Sequence, residues 1–97
     1  MKTTEKKATG TGLRGYARTT YSTLVEKLGL PNHTQGDKHT VLWVLEDSDG
    51  NIVTVYDWKQ GKTPKGEYDW HVGGSSYQVL NAFTEYTGIP TEDWRTE

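Results

Sequence analysis

The sequence predicts an α+β domain in which two helices cover one face of a small antiparallel sheet of three or four strands. Two segments carry apolar residues at helical spacing, and three others are alternating or rich in β-branched and aromatic residues. A short turn joins two of the strand segments, which indicates antiparallel pairing. Because 97 residues leave room for one core, we expect a single domain over residues 13–90.

Both ends of the chain differ from this domain in composition. Residues 1–12 are charged and rich in Thr and Gly, and they are predicted to form a mobile tail. Residues 91–97 are polar apart from Trp94 and are predicted to form a C-terminal tail. The sequence therefore places the secondary structure between these two segments.

A strand and a helix are predicted first. Residues 13–18 form a short strand pattern that Gly15 interrupts. The helix follows, with Thr19 or Thr20 as its N-cap and Gly29 as its stop. Its apolar stripe has the spacing i, i+3, i+4, i+7 and consists of Tyr21, Leu24, Val25 and Leu28.

Residues 39–47 and 51–58 are predicted to form a hairpin, because both are rich in strand-forming residues and Asp-Gly lies between them. A loop of two or four residues places odd-numbered residues of one strand opposite even-numbered residues of the other. An odd loop length would exchange the two faces. On the even register, the residues that face the helices are Leu42, Val44, Val53 and Val55.

The opposite face of that hairpin would then carry Trp43, Tyr56 and Trp58. Burying three such side chains is worth roughly 11–19 kcal/mol gross at about 25 cal/mol per Å2. We therefore expect them to be covered, either within the core or by the N-terminal tail, Trp94, a second copy of the chain, a ligand or a partner protein. These three residues are the predicted partner-binding surface.

The third strand and the second helix come next. Residues 67–72 alternate, with Trp70 on one side and Asp69 and His71 on the other. Residues 73–76, Gly-Gly-Ser-Ser, are predicted to end the strand and cap the helix. The stripe of that helix consists of Val79, Leu80, Phe83 and Tyr86. Before the strand, residues 59–66 are predicted to be an exposed, mobile loop.

A second candidate site lies where this third strand enters the helix. Free backbone N–H groups at a helix start favour an anion, while aromatic and basic side chains suit a nucleotide-like ligand. The predicted ligand-binding residues are Trp70, His71, Gly73, Gly74, Ser75, Lys62 and Lys65. The same residues also fit a purely structural role, with Ser as a cap and His bonded within the fold.

Composition limits the remaining function classes. The chain has no cysteine, a net charge of −2 and no motif with metal-ligand spacing, so we expect no disulfide, metal or cofactor and no extended nucleic-acid partner. A small hydrolase using His71 with Asp57 or Asp69 is an alternative, but no complete catalytic set is visible and we do not expect an enzyme. With no apolar run of about 18 residues, we expect no membrane span and a soluble cytoplasmic protein.

Two motifs, Y-x-x-L-x-x-x-x-G-x-P at residues 21–31 and W-H-[IV]-G-G at residues 70–74, resemble a group of small, mostly uncharacterised proteins encoded by bacteriophages. The likeness covers residues 13–80. Its matching positions are Tyr21, Leu24, Gly29, Pro31, Trp43, Asp49, Gly50, Tyr56, Asp57, Trp70, His71, Gly73 and Gly74.

This resemblance implies a phage origin and an infected bacterial host. The expected function is that of a host-defence antagonist, which either sequesters a nucleotide-like signal or blocks a host protein. A structural or assembly protein of the virion, using the aromatic residues to oligomerise, is the alternative.

Overall fold

The computed structural model describes residues 1–96; residue 97, the last of the predicted C-terminal tail, lies outside the described residues. The α+β class is confirmed by two helices packed on one antiparallel sheet. No helix within residues 1–96 is long and apolar enough to cross a membrane. The elements in chain order are β1 (Lys2–Thr3), β2 (Gly12–Thr19), α1 (Tyr21–Leu28), β3 (His33–Thr34), β4 (Val41–Glu46), β5 (Ile52–Tyr56), β6 (Tyr68–Gly74), α2 (Gln78–Thr87) and β7 (Glu92–Asp93), followed by a 3-10 turn at Trp94–Thr96.

The strand order across the sheet is β1-β4-β5-β6-β2-β7, and β3 pairs with β4 as well. Four strands of five to eight residues form the centre, and the three two-residue strands flank them. The long strands therefore match the predicted number, while the short edge strands were not predicted.

Helix α1 has the predicted bounds and caps. The hydroxyl of Thr20 accepts a hydrogen bond from the backbone N–H of Thr23 at 3.2 Å, and Gly29 ends the helix with a φ of +83°. The buried side of the helix consists of Leu24 and Leu28. A local sequence pattern therefore suffices to define this element.

Two tryptophans hold this helix against the sheet. Trp43 and Trp70 are fully buried, and their ring centroids lie 5.8 Å apart in an edge-on arrangement. The indole N–H of Trp70 donates to the carbonyl of Thr19 at 3.1 Å, and that of Trp43 donates to the carbonyl of Gly29 at 2.9 Å. Because these carbonyls border the two ends of α1, the tryptophan pair anchors the helix at both ends.

Helix α2 is confirmed, but its start and its stripe differ from the prediction. It begins after Tyr77 without a side-chain cap, and Ser76 contributes only its backbone carbonyl to the N–H of Val79. Tyr86 is 50% exposed, whereas Thr87 is buried and its hydroxyl donates to the carbonyl of Phe83 at 2.7 Å. The predicted serine cap and the inward position of Tyr86 are therefore wrong.

The turn of the predicted hairpin is closed by a side chain. One carboxylate oxygen of Asp47 accepts hydrogen bonds from the backbone N–H groups of Asp49 at 2.9 Å and Asn51 at 2.8 Å. Gly50 adopts a φ of +83°, which favours glycine. The loop comprises residues 47–51, an odd number.

This odd loop exchanges the two predicted faces of the hairpin. Trp43 lies opposite Val55 on the face that the helices cover, while Leu42 lies opposite Tyr56 on the other. Val44 shares the face of Leu42. The prediction that Leu42 and Val44 pack beneath the helices is therefore wrong, and the predicted aromatic surface is divided between two faces.

One side chain closes the outer edge of β4 between β1 and β3. The amide oxygen of Asn32 accepts from the backbone N–H of Val44 at 2.8 Å. Its amide nitrogen donates to the carbonyls of Val44 at 3.1 Å and Thr4 at 3.0 Å. The side chain of Asn32 thus forms the hydrogen bonds with the backbone of Val44 that a peptide group of a neighbouring strand would form.

The predicted N-terminal tail contacts the sheet. Lys2–Thr3 pairs with β4, and the chain then crosses to β2, beyond β6. On the way, Ala8 and Thr11 line a cavity together with Leu42 and Thr54, which face away from the helices. The end of this segment therefore lies on the face of the sheet that has no helix, which we call the helix-free face.

We predict that Asn32→Ala lowers the free energy of unfolding by about 1–3 kcal/mol, because it leaves the backbone N–H of Val44 without its partner. Urea unfolding followed by tryptophan fluorescence measures this change. Asn81→Ala is the matched control, since Asn81 is exposed on α2. Equal unfolding midpoints for the two variants would contradict the role of Asn32.

Candidate functional site

A row of cross-strand neighbours traverses the helix-free face. Because neighbouring strands are about 4.8 Å apart, four steps from one end of this row to the other span roughly 19 Å. The residues of the row, from β4 to β7, are Leu42, Tyr56, His71, Tyr16 and Glu92. We call this set the cross-strand row.

Aromatic rings surround His71 at the centre of the row. Ring centroids of Tyr16 and Tyr56 lie 5.1 and 5.3 Å from that of His71. Those of Trp58 and Tyr68 lie at 6.2 and 6.5 Å. Trp58 is 42% exposed, so the group, which we call the His71 cluster, presents aromatic surface to solvent.

The imidazole at the centre of the cluster is electrostatically perturbed. Burial lowers the pKa of His71 below its ordinary value, although the carboxylates of Asp57 and Asp69 act in the opposite direction. Its Nδ1 is buried and makes no hydrogen bond to residues 1–96. Burial also raises the pKa of Tyr56. We therefore expect His71 to be neutral at physiological pH.

An apolar cavity of about 240 Å3 opens beside the cluster at the β4 end of the row. Tyr56 and Trp58 supply its aromatic wall, and Leu42 adds apolar surface. The N-terminal segment provides the opposite wall. The full lining is Ala8, Thr11, Gly12, His39, Leu42, Thr54, Tyr56 and Trp58.

A second cavity, of about 370 Å3, lies at the other end of the row. Tyr16 belongs both to this lining and to the His71 cluster. We call it the acidic cavity because two carboxylates line it. The full lining is Tyr16, Arg18, Asp69, Pro90, Thr91 and Glu92.

Charge differs between the two ends of the row. Arg18 lies 3.2 Å from a carboxylate oxygen of Asp69 and 3.6 Å from one of Glu67. Glu92 makes no ion pair with any side chain in the described part of the chain. At the opposite end, the ammonium of Lys59 lies 5.9 Å from the centre of the Trp58 ring. The β7 end is therefore acidic, and positive charge lies near the apolar cavity.

The predicted Gly-Gly ligand site is built differently. Gly73 and Gly74 belong to β6 and pair with β5 on one side and β2 on the other. A Cβ on Gly73 would lie 2.5 Å from the hydroxyl oxygen of Thr54, and a Cβ on Gly74 would lie 2.7 Å from Val79. These glycines therefore permit close packing, and their backbone is enclosed between strands rather than open to an anion.

The other predicted ligand-binding residues of β6 point in different directions. Trp70 is buried beneath the helices, whereas His71 lies on the helix-free face. Ser75 is exposed after the end of β6, and its carbonyl accepts from Arg14 at 3.2 Å. Trp70 and His71 therefore lie on opposite faces of the sheet, and only His71 is on a face without helices.

The two predicted lysines are also separate from His71. Lys65 places its ammonium 4.3 Å from the ring centre of Tyr21, which packs against the core on the helix side. Lys62 is exposed in the loop. The structure therefore does not assemble the predicted nucleotide-like site.

The predicted partner-binding residues are partly brought together. Tyr56 and Trp58 share the helix-free face, with ring centroids 6.3 Å apart, while Trp43 is in the core. The sequence prediction missed Tyr16 and Glu92. Alternation along residues 13–18 could have placed Tyr16 on one face, but no local signal pairs it with His71.

Both carboxylates considered for a hydrolase have other partners. The oxygens of Asp57 accept from the N–H and hydroxyl of Thr40 at 2.8 and 2.7 Å and from the N–H of Val41 at 3.1 Å. Asp69 pairs with Arg18. Residues 1–96 hold no group of three or more His, Cys, Asp or Glu that could bind a metal.

Comparison with protein-family models, curated proteins and solved structures gives no significant match to this chain. The function is therefore inferred from the geometry of the helix-free face and from the motifs in the sequence.

We predict that Gly74→Ala lowers the free energy of unfolding by about 1–3 kcal/mol, because the added methyl group would overlap Val79 and the carbonyl of Ile52. Gly66→Ala is the control, since a Cβ there meets nothing within 4 Å. Thermal unfolding measures both. A Gly74→Ala protein as stable as the control would reopen the ligand interpretation of the Gly-Gly pair.

We predict that His71 makes stability fall as the solution is acidified. Its folded-state pKa is lowered, so the unfolded state binds the proton more readily, and stability is lost as pH falls below the ordinary histidine value of 6.5. Urea unfolding at pH 7.5 and 5.5 should show a smaller loss for His71→Gln than for the wild type. An equal loss in both proteins would contradict this assignment.

Proposed function

We propose that this chain is a small binding protein that blocks a host protein with its helix-free face and thereby antagonises a host defence. The observation that carries the proposal is the His71 cluster, an aromatic surface accessible to solvent with a cavity on either side. The helices are packed on the opposite face, so a partner can approach the cluster directly.

The cluster has the features of a binding hot spot. Aromatic side chains offer large, rigid contact surfaces at low entropic cost and dominate the energetics of many interfaces. Trp58 is 42% exposed, although the chain has other tryptophans fully inside its core. A partner that covers Trp58 and Tyr56 would bury apolar surface that the isolated chain leaves in water.

A protein partner fits this face better than a nucleotide. The apolar cavity, at about 240 Å3, is smaller than the roughly 300–1,000 Å3 that hold a drug-sized ligand. The acidic cavity presents Asp69 and Glu92, which would repel phosphate groups. Gly73 and Gly74, which favoured an anion in the sequence, have strands on both sides.

The biological part of the proposal comes from the sequence. The motifs at residues 21–31 and 70–74 resemble small bacteriophage proteins. A phage-encoded binding protein of this size would act in the cytoplasm of an infected bacterium by occupying a host molecule. Host proteins that defend against phage are the partners that this resemblance favours.

We predict that Trp58→Ala weakens capture of a host protein at least tenfold, because it removes the exposed anchor of the cluster. Immobilised wild-type and variant chains are exposed to a bacterial lysate, and retained proteins are quantified by mass spectrometry. Tyr86→Ala is the matched control, since Tyr86 is 50% exposed on α2, away from the row. Circular dichroism confirms that each variant is folded.

A protein retained equally by the wild type and by both variants would place binding outside the helix-free face. Stabilisation of the wild type by a nucleotide in a thermal-shift assay, abolished by Trp58→Ala, would instead support sequestration of a signal. A discrete oligomer in sedimentation that Trp58→Ala dissociates would support the virion-assembly alternative.

A further inference from the structure

We propose that the helix-free face binds an extended segment of about six residues, with an apolar or aromatic side chain at one end and a basic side chain at the other. This inference rests on the proposed function, because it names the chemistry of the partner that the same face would bind. The segment would lie along the cross-strand row and cross the strands of the sheet.

The length follows from the geometry of the row. Its five members span roughly 19 Å from Leu42 to Glu92, at about 4.8 Å per strand. An extended chain advances about 3.3 Å per residue, so about six residues cover this distance. Side chains at the two ends of such a segment would reach the two cavities at the same time.

The apolar cavity defines one end of the segment. Tyr56, Trp58 and Leu42 line it, and no carboxylate is among its lining residues. At about 240 Å3 it has room for a single large side chain. Burying an apolar or aromatic side chain there would be worth roughly 1.5–3 kcal/mol at the usual value for one such side chain.

The acidic cavity defines the other end. Asp69, Glu92 and the neighbouring Glu67 contribute three carboxylates, and Arg18 contributes one guanidinium, which leaves a local charge of −2. Tyr16 also lines this cavity, and the face of an aromatic ring attracts a cation. A Lys or Arg side chain of the partner is therefore complementary to this cavity in both charge and ring contact.

The charges also determine which end of the segment occupies which cavity. Lys59 lies beside Trp58 at the apolar end and would repel a basic side chain there. Glu92 at the opposite end has no ion pair among residues 1–96 and can accept one. If the basic side chain instead lay in the apolar cavity, it would be close to Lys59, and the carboxylates of the acidic cavity would stay uncompensated.

An array of random octapeptides tests this proposal. Peptides that bind the wild-type chain are expected to be enriched in Lys or Arg located four to six positions from a Leu, Phe, Tyr or Trp. Glu92→Gln should weaken these peptides two- to fivefold, as expected for the loss of one exposed ion pair. Glu85→Gln is the matched control, because it removes the same charge from an exposed position on α2.

Absence of bound peptides, enrichment in acidic residues, or equal binding by Glu92→Gln and the wild type would each overturn the proposal. These outcomes are distinct from failure of the proposed function. If lysate capture depends on Trp58 while no peptide binds, the face binds a folded surface rather than an extended segment. If neither capture nor peptide binding depends on Trp58, the proposed function is itself wrong.

Discussion

The turn at Asp47 decides which side of the sheet each hairpin residue faces. Its carboxylate accepts the N–H groups of Asp49 and Asn51 and holds the loop at five residues. Burial alone would raise the pKa of Asp47, but these hydrogen bonds outweigh it and lower the pKa, which favours the charged acceptor. A loop shorter or longer by one residue would move Trp43 out of the core, since side chains alternate along a strand.

The packing of the first helix depends on this register. With Trp43 facing inward, it meets Trp70 from β6, and the two indoles reach the carbonyls at both ends of α1. The same alternation that buries the tryptophans turns Tyr56 and His71 to the opposite face. The core and the candidate binding surface are thus two consequences of one arrangement, and a change of register could not alter one of them alone.

Local signals in the sequence predicted most of the helices and strands but not the register in which the strands pair. Helix α1 and the alternation of β6 were predicted because caps and side-chain periodicity act within a few residues. The loop parity was not, because Asp-Gly occurs in loops of several lengths. The packing role of Gly73 and Gly74 was not predicted either, because it depends on the strands that flank them on both sides. Of the candidate site, the sequence named His71, Tyr56 and Trp58, whereas Tyr16 and Glu92 join them through pairings distant in sequence.

The N-terminal segment explains why part of the helix-free face is covered and part is open. Between β1 and β2 the chain must cross β4, β5 and β6, and Ala8, Thr11 and Gly12 line the apolar cavity on the way. The segment therefore lies beside the β4 end of the cross-strand row and supplies a wall of that cavity, which stays open next to Leu42. At the other end the row meets β7, whose Glu92 lies opposite Tyr16. Residues near the two chain ends thus form part of both cavities of the proposed binding surface. Partner binding by this surface would therefore depend on segments whose composition predicts only tails.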